Sequence, residues 1–423
     1  MKQTIFRQYS IRGHAKHDFT NKNIELIGRA IGTYFARQKT KSHLVIGYDV
    51  RQSSPRLNQY LKTGLMATGC DITELGLVPT PALNFAVDYY QADGGIMITA
   101  SHNPPHDNGF KLRADKTLMG DTIQEFYRIT QENQFIHGTG TTHTKDIMPV
   151  YLQALQERFN PSHPLNIVVD GGNGAAGQTM VTLLQQRGHQ VIPIFIDHDG
   201  TFPNRSPDPT SPNALTVAAS HVRDNQADFG FAYDGDGDRI TLIDDKGNVH
   251  LGDIILMLLA RHALQSGSIN VVHDIACSQA LTDDVKAHGG ETYAAPVGYA
   301  FVHNKMHEVE SKLGGEAAGH IFCIDNLFKF DDALLASVKL INYLTTQKKP
   351  MSALIADLPH YYTSPNLRMN CAESEKKTII EKLIHRYKDT YPIDTTDGIK
   401  IFFPDPQPPP LQGEGSKIIP LSP

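Results

Sequence analysis

Three acidic residues at alternate positions form the sharpest chemical signal in the chain. They lie in the segment Asp234-Gly-Asp236-Gly-Asp238-Arg239, which follows the apolar run 229–233, a predicted strand. Two like charges about 4 Å apart repel by about 4 kcal/mol at an effective dielectric of about 20, so a cation is expected among them. Hard oxygen ligands suit Mg²⁺ or Ca²⁺. The alternative is an acidic hairpin turn in solvent; an EF-hand is excluded because its twelfth position lacks the Glu.

A serine lies in a loop directly after a second apolar strand. The strand reads GGIMIT, and the loop TASHNPP (99–105) places His102 and Asn103 beside Ser101. A serine at a strand end, with prolines stiffening the exit, is a candidate nucleophile or phosphate carrier. Lys111 adds a cation a few residues later. The same residues are also compatible with a simple Asx-type turn.

A glycine-rich loop further along the chain offers polar groups for a ligand. The loop GGEAAGH (314–320) presents Glu316 and His320, and a carboxylate that accepts two hydrogen bonds suits the hydroxyl groups of a sugar. The alternative is an ordinary helix cap followed by a turn, which the same glycines favour. Taken alone, the loop favours the cap and turn.

Another glycine pattern is typical of dinucleotide-binding proteins. Gly172, Gly174 and Gly177 follow a predicted strand and open a helix, and Asp197 lies 20 residues after Gly177. This pattern would indicate an NAD-dependent oxidoreductase. However, the strand ends in Asp170, whose negative charge would lie near the pyrophosphate, and the acidic trio would have no role in such an enzyme.

These loops can form one site only if a scaffold brings their strand ends together. Three stretches of the chain predict such a scaffold, because they repeat one strand–helix–strand plan. Each has an apolar run ending in Asp, a polar turn, a helical segment, a glycine suited to a left-handed helix cap, and a second strand. Units of this kind imply right-handed crossovers and mostly parallel sheets. The first strands are 44–49, 166–170 and 270–274; the glycines are Gly69, Gly188 and Gly289; the second strands are 71–75, 190–195 and 291–294.

Composition narrows the class of protein. The 423 residues are 40% hydrophobic and 20% charged, which predicts a packed protein of several domains. A formal net charge of −6 argues against non-specific nucleic-acid binding, so an anionic substrate must be captured by local cations and backbone N–H groups. Four widely spaced cysteines and no long apolar run predict a soluble, cytosolic protein.

The last part of the chain predicts a different, smaller unit. A helix is expected near 374–387 and a strand at 397–403. The following segment, PDPQPPPLQGEGSKIIPLSP, is predicted to be disordered because its proline-rich start suits neither helix nor strand.

Taken together and in this order, the motifs resemble the α-D-phosphohexomutase family, most closely its phosphomannomutase/phosphoglucomutase branch. IFRQYSIRG is similar to the opening segment of that family, TASHNPPHDNGFK to its phosphoserine loop, DGDGDR to its metal loop and GEAAGH to its sugar-binding loop. The resemblance runs from about residue 5 to about residue 403. Joint occurrence in this order is far more specific than any single motif.

The resemblance implies both a fold and a reaction. The fold is three similar α/β domains with mixed, mostly parallel sheets plus an incomplete fourth α+β domain. The reaction is an intramolecular phosphotransfer that interconverts hexose 6-phosphate and hexose 1-phosphate, with mannose or glucose as the sugar. Phosphorylated Ser101 would hold one Mg²⁺ together with Asp234, Asp236 and Asp238. A bound hexose 1,6-bisphosphate would be the intermediate and activator.

The same resemblance assigns further residues. Arg12, Lys111 and Arg239 would stabilise the charge of the transferred group. One of His320, His102 and Lys111 would take the proton of the sugar hydroxyl. The expected partner is a small sugar phosphate, with no nucleic acid and no membrane. The substrate-binding residues implied are Tyr9, Glu316, Ala318, His320 and Tyr299.

Five segments are expected along the chain. They are a phosphoserine-loop α/β domain at 1–145, a metal-binding α/β domain at 146–250, a sugar-binding α/β domain at 251–363, a truncated phosphate-binding-type domain at 364–403, and a proline-rich tail at 404–423.

The chain departs from the family pattern in both its third and fourth domains. Ala318 stands for a usual Ser, Ala276 for a frequent Lys and Tyr299 for a common His, and each change removes a polar contact. After residue 403 the family's Arg-x-Ser-Asn-Thr-x-Pro loop, which grips the non-reacting phosphate, is not found. We therefore expect impaired turnover. The non-catalytic alternative is a degenerate homologue that binds Mg²⁺ and a sugar phosphate without converting it.

Overall fold

Three β-sheets of four to six strands and one of two strands follow one another along the chain in the computed structural model, which describes residues 1–39, 41–361 and 371–403. The chain divides into two units, Met1–Thr363 and Ser364–Pro423. The three larger sheets belong to the first unit. The predicted fold class, three α/β domains with mixed and mostly parallel sheets, is confirmed.

The first sheet has six strands in the order β1-β5-β4-β2-β3-β6. Strands β2, β3, β4 and β6 run parallel, whereas β5 is antiparallel to both β1 and β4. The elements are β1 (Ile11–His14), α1 (Asn21–Gln38), β2 (His43–Tyr48), α2 (Ser54–Met66), β3 (Asp71–Leu77), α3 (Thr80–Tyr89), β4 (Gly94–Ile98), β5 (Asp107–Arg113), α4 (Asp121–Glu132) and β6 (Thr142–Thr144).

The second sheet has five strands in the order β11-β10-β9-β7-β8, with β7, β8 and β9 parallel. Strand β9 is the apolar run before the acidic trio, and it is buried along its whole length. The elements are α5 (Met148–Glu157), β7 (Asn166–Asp170), α6 (Gly177–Gln186), β8 (Gln190–Ile194), α7 (Thr216–Asp224), β9 (Phe229–Tyr233), β10 (Ile240–Asp244) and β11 (Val249–His250).

The third sheet has four strands in the order β13-β12-β14-β15, and only its edge strand β15 is antiparallel. The elements are α8 (Gly252–Leu264), β12 (Asn270–Asp274), α9 (Gln279–Ala287), β13 (Glu291–Ala295), α10 (Tyr299–Glu308), β14 (Leu313–Gly315), β15 (Ile321–Cys323), α11 (Ala333–Thr346) and α12 (Met351–Ala356).

The repeated strand–helix–strand plan is present in each sheet. The predicted pairs are β2 with β3, β7 with β8, and β12 with β13, and all three pair in parallel. Gly69, Gly188 and Gly289 end the intervening helices with φ of +91°, +81° and +86°, the left-handed cap that glycine adopts most readily. The exact domain bounds given above stay predictions.

The second unit is small. It contains α13 (Glu373–Tyr387), β16 (Ile393–Asp394) and β17 (Lys400–Ile401), the last two paired antiparallel. The predicted strand at 397–403 is therefore too long. Its start is wrong because Gly398, at φ +74°, turns the chain before pairing begins. The segment 404–423, predicted to be disordered, lies outside the described residues.

One hydrophobic core crosses the three sheets of the first unit. It joins Val45 of β2, Phe231 of β9 and Leu256 of α8, all fully buried. Tyr151 of α5 adds a polar link, because its hydroxyl donates to the Asp332 carboxylate at 2.8 Å. Shared packing of this kind fixes the strand ends of the three sheets relative to one another. Among the described helices, none has an apolar stretch long enough to cross a bilayer.

A carboxylate beside the edge strand β6 of the first sheet makes the stability of the protein depend on pH. Asp71, which begins β3, accepts hydrogen bonds from the Thr141 hydroxyl (2.7 Å) and the Thr141 N–H (2.9 Å). These bonds lower the pKa of Asp71 from 3.8 to about 2. A carboxyl group with a lowered pKa contributes stability above its unfolded pKa and loses it as the pH falls.

The melting temperature of Asp71→Asn should therefore lie below that of the wild type at pH 7. The gap should shrink as the pH falls from about 5 to about 3. Thermal unfolding at several pH values measures it, with Asp224→Asn, an exposed helix-end carboxylate, as the control. A gap that widens on acidification would contradict this interpretation.

Candidate active site

Loops from all three sheets meet at one place. Ser101 follows β4, the acidic trio follows β9, and Glu316 follows β14. The three domains are in backbone contact there: the N–H of Thr80, at the start of α3, donates to the Asp236 carbonyl at 2.8 Å, and the Ile240 N–H donates to the Gly319 carbonyl at 3.0 Å. The motifs separated in sequence therefore line a single site.

Ser101 is buried and held in an unusual conformation. Its φ is +51°, in the left-handed region that a residue with a Cβ seldom adopts. Its hydroxyl donates to Oδ2 of Asp234 at 2.7 Å and lies 3.2 Å from Nδ1 of His102. The serine oxygen thus sits at the edge of the acidic trio.

The trio of Asp234, Asp236 and Asp238 forms a compact, buried oxygen cluster. One oxygen from each carboxylate lies within 4.8 Å of the others. Gly237, at φ +75°, allows the backbone to turn between them, and its N–H donates to Oδ1 of Asp234 at 3.0 Å. The predicted convergence of the three side chains is therefore present.

Lys111 pairs directly with two carboxylates of the trio. Nζ of Lys111 lies 2.7 Å from Oδ2 of Asp236 and 2.5 Å from Oδ2 of Asp238. Thr80 donates its hydroxyl to the same oxygen of Asp236 at 2.7 Å. Oδ1 of Asp236 and Oδ1 of Asp238 are buried without a hydrogen-bond partner among the described residues. Two buried, unpartnered carboxylate oxygens beside a third carboxylate fit a hard divalent cation such as Mg²⁺.

The pKa shifts of the trio and of Lys111 indicate the same shortage of positive charge. Burial, and then the charges of Asp236 and Asp238, raise the pKa of Asp234 well above its usual value. Burial also disfavours the charged form of Asp236, but Lys111 outweighs it and lowers the pKa of that carboxyl. Burial opposes the charged form of Lys111 as well, yet Asp236 and Asp238 raise its pKa. Lys111 is therefore an ammonium in this arrangement.

His320 is fixed at both ring nitrogens. Nδ1 lies 2.6 Å from Oδ2 of Asp331, and Nε2 lies 2.9 Å from Nε of Arg239. The Arg239 Nε always carries a hydrogen and must donate, so Nε2 accepts and the ring proton resides on Nδ1, pointing at Asp331. Burial opposes the charged form of His320, but the charge of Asp238 and then the hydrogen bond and charge of Asp331 outweigh it and raise the pKa of His320. Asp331 was not identified from sequence.

Glu316 has one oxygen engaged and one turned towards the site. Oε1 accepts the N–H of Gly298 at 2.7 Å, while Oε2 lies 3.9 Å from Nε2 of His320. Burial raises the pKa of Glu316. Ala318, in the same loop, is half-buried and offers no polar group.

Aromatic rings form a wall beside the sugar loop. The ring of Tyr299 lies 5.3 Å from that of Tyr9, edge to face, and 5.4 Å from the ring of His320. Nζ of Lys111 is 5.8 Å from the Tyr299 ring centre. Tyr299 is buried, so it contributes a ring face in place of the polar contact expected from a His. Ala276 is exposed.

Arg12 and His102 complete the set identified from sequence. Nη1 of Arg12 donates to the Asn103 side chain at 3.0 Å, and its buried Nε has no partner within the described part of the chain. Burial, and then the positive charges of Arg239 and Arg12, lower the pKa of His102 to about 2. His102 is therefore a neutral imidazole beside Ser101.

The dinucleotide-binding interpretation is not favoured. The loop after β7 is filled by Arg205, whose Nε donates to Oδ1 of Asp170 at 2.9 Å. A Cβ added at Gly172 would lie 2.4 Å from that guanidinium, and one at Gly174 would lie 2.8 Å from the Gly235 carbonyl. These glycines let the loop pack against Arg205 and the acidic loop, not against a pyrophosphate.

Comparison with known proteins gives consistent matches along the chain. Residues 3–137, 149–247 and 251–362 match the family models described as phosphoglucomutase/phosphomannomutase, alpha/beta/alpha domains I, II and III respectively. A phosphomannomutase/phosphoglucomutase of Pseudomonas aeruginosa is 32% identical over 407 residues, covering 95% of this chain and 87% of that protein. A phosphoglucomutase of Neisseria gonorrhoeae is 33% identical over 408 residues, covering 95% and 88%.

A solved structure is similar over almost the whole chain. The crystal structure of a phosphoglucomutase/phosphomannomutase family protein from Burkholderia thailandensis superposes with a TM-score of 0.89 at 33% identity. The match covers 96% of this chain and 89% of that one.

Removing one acidic ligand should weaken cation binding. Asp238→Asn takes away a negative oxygen donor and leaves Lys111 paired with Asp236 alone. Mg²⁺ affinity measured by isothermal titration calorimetry should fall at least about tenfold. Asp244→Asn is the matched control, because Asp244 is equally buried on the next strand but bonds Asn248 and His250. Equal Mg²⁺ binding by wild type and Asp238→Asn would contradict the assignment.

Proposed function

The chain belongs to the phosphoglucomutase/phosphomannomutase family and is a sugar-phosphate mutase; we propose that it carries the transferred phosphoryl group on Ser101. The observation that supports this role is the placement of the Ser101 hydroxyl, 2.7 Å from a carboxylate of the buried trio. A phosphate on this oxygen would lie where cationic charge is already required.

We propose that Ser101, Asp234, Asp236 and Asp238 hold one Mg²⁺. The buried oxygens without partners and the hard donor set fit that ion. When bound, Mg²⁺ would neutralise charge on the phosphoryl group and on the oxygens between which it moves. Lys111 would then turn one or more of its donors from the trio to the phosphate.

Arginine and lysine side chains would stabilise the remaining charge. Arg12 reaches the serine loop through Asn103 and keeps its Nε unused, and Arg239 lies between the trio and the sugar loop. Together with Lys111 these residues would bind the phosphate oxygens through charge-assisted hydrogen bonds. Phosphoryl transfer depends chiefly on such positioning and neutralisation.

We propose His320 as the group that takes the proton of the attacking sugar hydroxyl. Lys111 is held as an ammonium by two carboxylates, and the lowered pKa of His102 makes it a weak base. His320 has a base's arrangement, because Asp331 fixes the proton of Nδ1, and the Nε2 lone pair, which accepts from Nε of Arg239, lies 3.9 Å from Oε2 of Glu316. Arg239 would release Nε2 when it turns to the phosphate.

The third domain would hold the sugar. Oε2 of Glu316 would accept hydrogen bonds from two sugar hydroxyls, while Tyr9 and Tyr299 would form an apolar wall beside the ring and Ala318 would leave space there. The phosphoryl group would pass from Ser101 to a hexose 1- or 6-phosphate of mannose or glucose. The resulting 1,6-bisphosphate would turn round in the site and return its other phosphate to the serine.

The non-catalytic alternative is not favoured, because relatives that match 95% of this chain are named phosphomannomutase/phosphoglucomutase and phosphoglucomutase. We propose the cytoplasm as the compartment, since the four cysteines, Cys70, Cys277, Cys323 and Cys371, are free thiols. Small sugar phosphates are the proposed partners.

Replacing the phosphate carrier should abolish turnover. Ser101→Ala should lower the conversion of mannose 1-phosphate or glucose 1-phosphate by about 1,000-fold or more, because the covalent route is lost. A coupled assay with Mg²⁺ and hexose 1,6-bisphosphate measures it. Ser266→Ala, at an exposed serine after α8, should keep wild-type activity.

Two outcomes would contradict this account of function. Activity that survives Ser101→Ala would rule out the serine as the carrier. A wild-type chain that binds sugar phosphate without converting it, when phosphorylated on Ser101 and supplied with Mg²⁺, would support the non-catalytic alternative.

A further inference from the structure

We propose that Arg51 is a positioning residue for the phosphate-carrying serine, a role that rests on the proposed function of Ser101. Arg51 lies in the loop between β2 and α2, and its side chain is completely buried. Its guanidinium donates to four backbone carbonyls of the serine loop. These carbonyls belong to Ser101 (2.7 Å), Asn103 (2.6 Å), Pro104 (2.6 Å) and Asp107 (3.0 Å).

The serine needs such support because of its backbone conformation. At φ +51° Ser101 is strained, and a strained residue persists only where its surroundings over-determine it. Its N–H donates to the Thr99 hydroxyl oxygen at 2.7 Å, and its carbonyl accepts from Arg51. Both backbone polar groups of the serine are therefore held by side chains.

Asp49 joins these two supports. Its Oδ2 accepts from Nε of Arg51 at 3.1 Å and from the Thr99 hydroxyl at 2.7 Å. Its Oδ1 accepts from the Ser54 hydroxyl at 2.9 Å. One buried carboxylate at the end of β2 thus orients both the residue that holds the serine N–H and the residue that holds the serine carbonyl.

Arg51 also contacts Phe202 of the second domain. Its guanidinium carbon lies 5.2 Å from the ring centre of Phe202. A Cβ added at Gly235, inside the trio segment, would lie 3.3 Å from that ring and 2.7 Å from the Ser101 carbonyl oxygen. Arg51 therefore lies where the serine loop and the metal loop meet, and it sets the position of Ser101 relative to Asp234.

A displaced serine should lose phosphoryl transfer more than hydrolysis. In transfer the sugar hydroxyl oxygen bonds to phosphorus and gives its proton to the proposed base His320, while the bond between Ser101 Oγ and phosphorus breaks and Oγ regains a proton. In hydrolysis the same bond breaks, a water oxygen bonds to phosphorus, inorganic phosphate leaves and Oγ regains a proton. Transfer needs the sugar oxygen aligned with the serine, whereas water approaches without such alignment.

The test uses the full-length chain with Arg51→Lys and Arg51→Met. Each protein is phosphorylated on Ser101 with labelled hexose 1,6-bisphosphate and then mixed with hexose 6-phosphate. The ratio of label in sugar to label in inorganic phosphate is measured. It should fall about 100-fold in Arg51→Met and less in Arg51→Lys, which keeps the charge. Because the ratio is counted per phosphorylated site, a smaller folded fraction does not change it.

Arg158→Met is the matched control. Arg158 also pairs with a carboxylate, Asp325 (2.5 Å), donates to a backbone carbonyl, that of Ala154 (2.9 Å), and lies over a phenylalanine ring, that of Phe328 (4.7 Å). It makes no contact with the serine loop. Its replacement should lower the melting temperature and leave the transfer-to-hydrolysis ratio unchanged.

Crystal structures supply a readout that does not depend on turnover. In Arg51→Lys, or in Thr99→Val if Arg51 variants fail to fold, φ of Ser101 should leave the left-handed region and Oγ should move away from Asp234. An unchanged Ser101 geometry together with an unchanged ratio would overturn the proposal. A wild type that transfers no phosphoryl group would refute the proposed function, while these structures would still decide the role of Arg51.

Discussion

Repulsion among three buried carboxylates is the constraint on which the rest of the site depends. Two like charges about 4 Å apart repel by about 4 kcal/mol at an effective dielectric of about 20, and one oxygen from each of the three carboxylates lies within 4.8 Å of the others. Lys111 supplies one positive charge, and two carboxylate oxygens keep no hydrogen-bond partner among residues 1–39, 41–361 and 371–403. A divalent cation would resolve the conflict. Because the Ser101 hydroxyl donates to Asp234 of the same cluster, that cation would also lie beside the oxygen proposed to carry the phosphate.

In the fold, loops that follow strands of three different sheets meet at one place. The trio follows strand β9 directly, and Gly237 allows a turn tight enough to bring the three carboxylates together. Strands β4 and β14 deliver Ser101 and Glu316 from the neighbouring domains. The hydrophobic core shared by the three sheets fixes the positions of these loops relative to one another. Arg51 donates to the backbone carbonyl of Ser101, and Asp331 pairs with the ring of His320, so each of these two residues is held by a partner from another element.

The sequence predicts those parts of this arrangement that are local. Each unit combines an apolar run ending in Asp, a helix and a capping glycine. These signals lie within one short stretch of sequence, and the three units fold as expected. Residue type and spacing also singled out the motif loops, but the roles expected of the serine loop and the sugar loop came from the resemblance of the whole set to one family. The pairing of Lys111 with Asp236, of Arg51 with the serine loop, and of Asp331 with His320 could not be predicted. Those partners lie on different elements, so no spacing rule connects them. The glycine pattern at 172–177 misleads for the same reason, since Arg205, which fills its loop, lies outside the pattern.

Anomalous diffraction from crystals soaked in Mn²⁺ tests the central claim most directly. Mn²⁺ prefers the same oxygen ligands as Mg²⁺ and gives a signal that locates it. We expect one peak about 2.1 Å from oxygens of Asp234, Asp236 and Asp238, with the Ser101 oxygen or its phosphate completing the site. A fully soaked crystal with no peak there, and with Lys111 still paired to both carboxylates, would contradict the account.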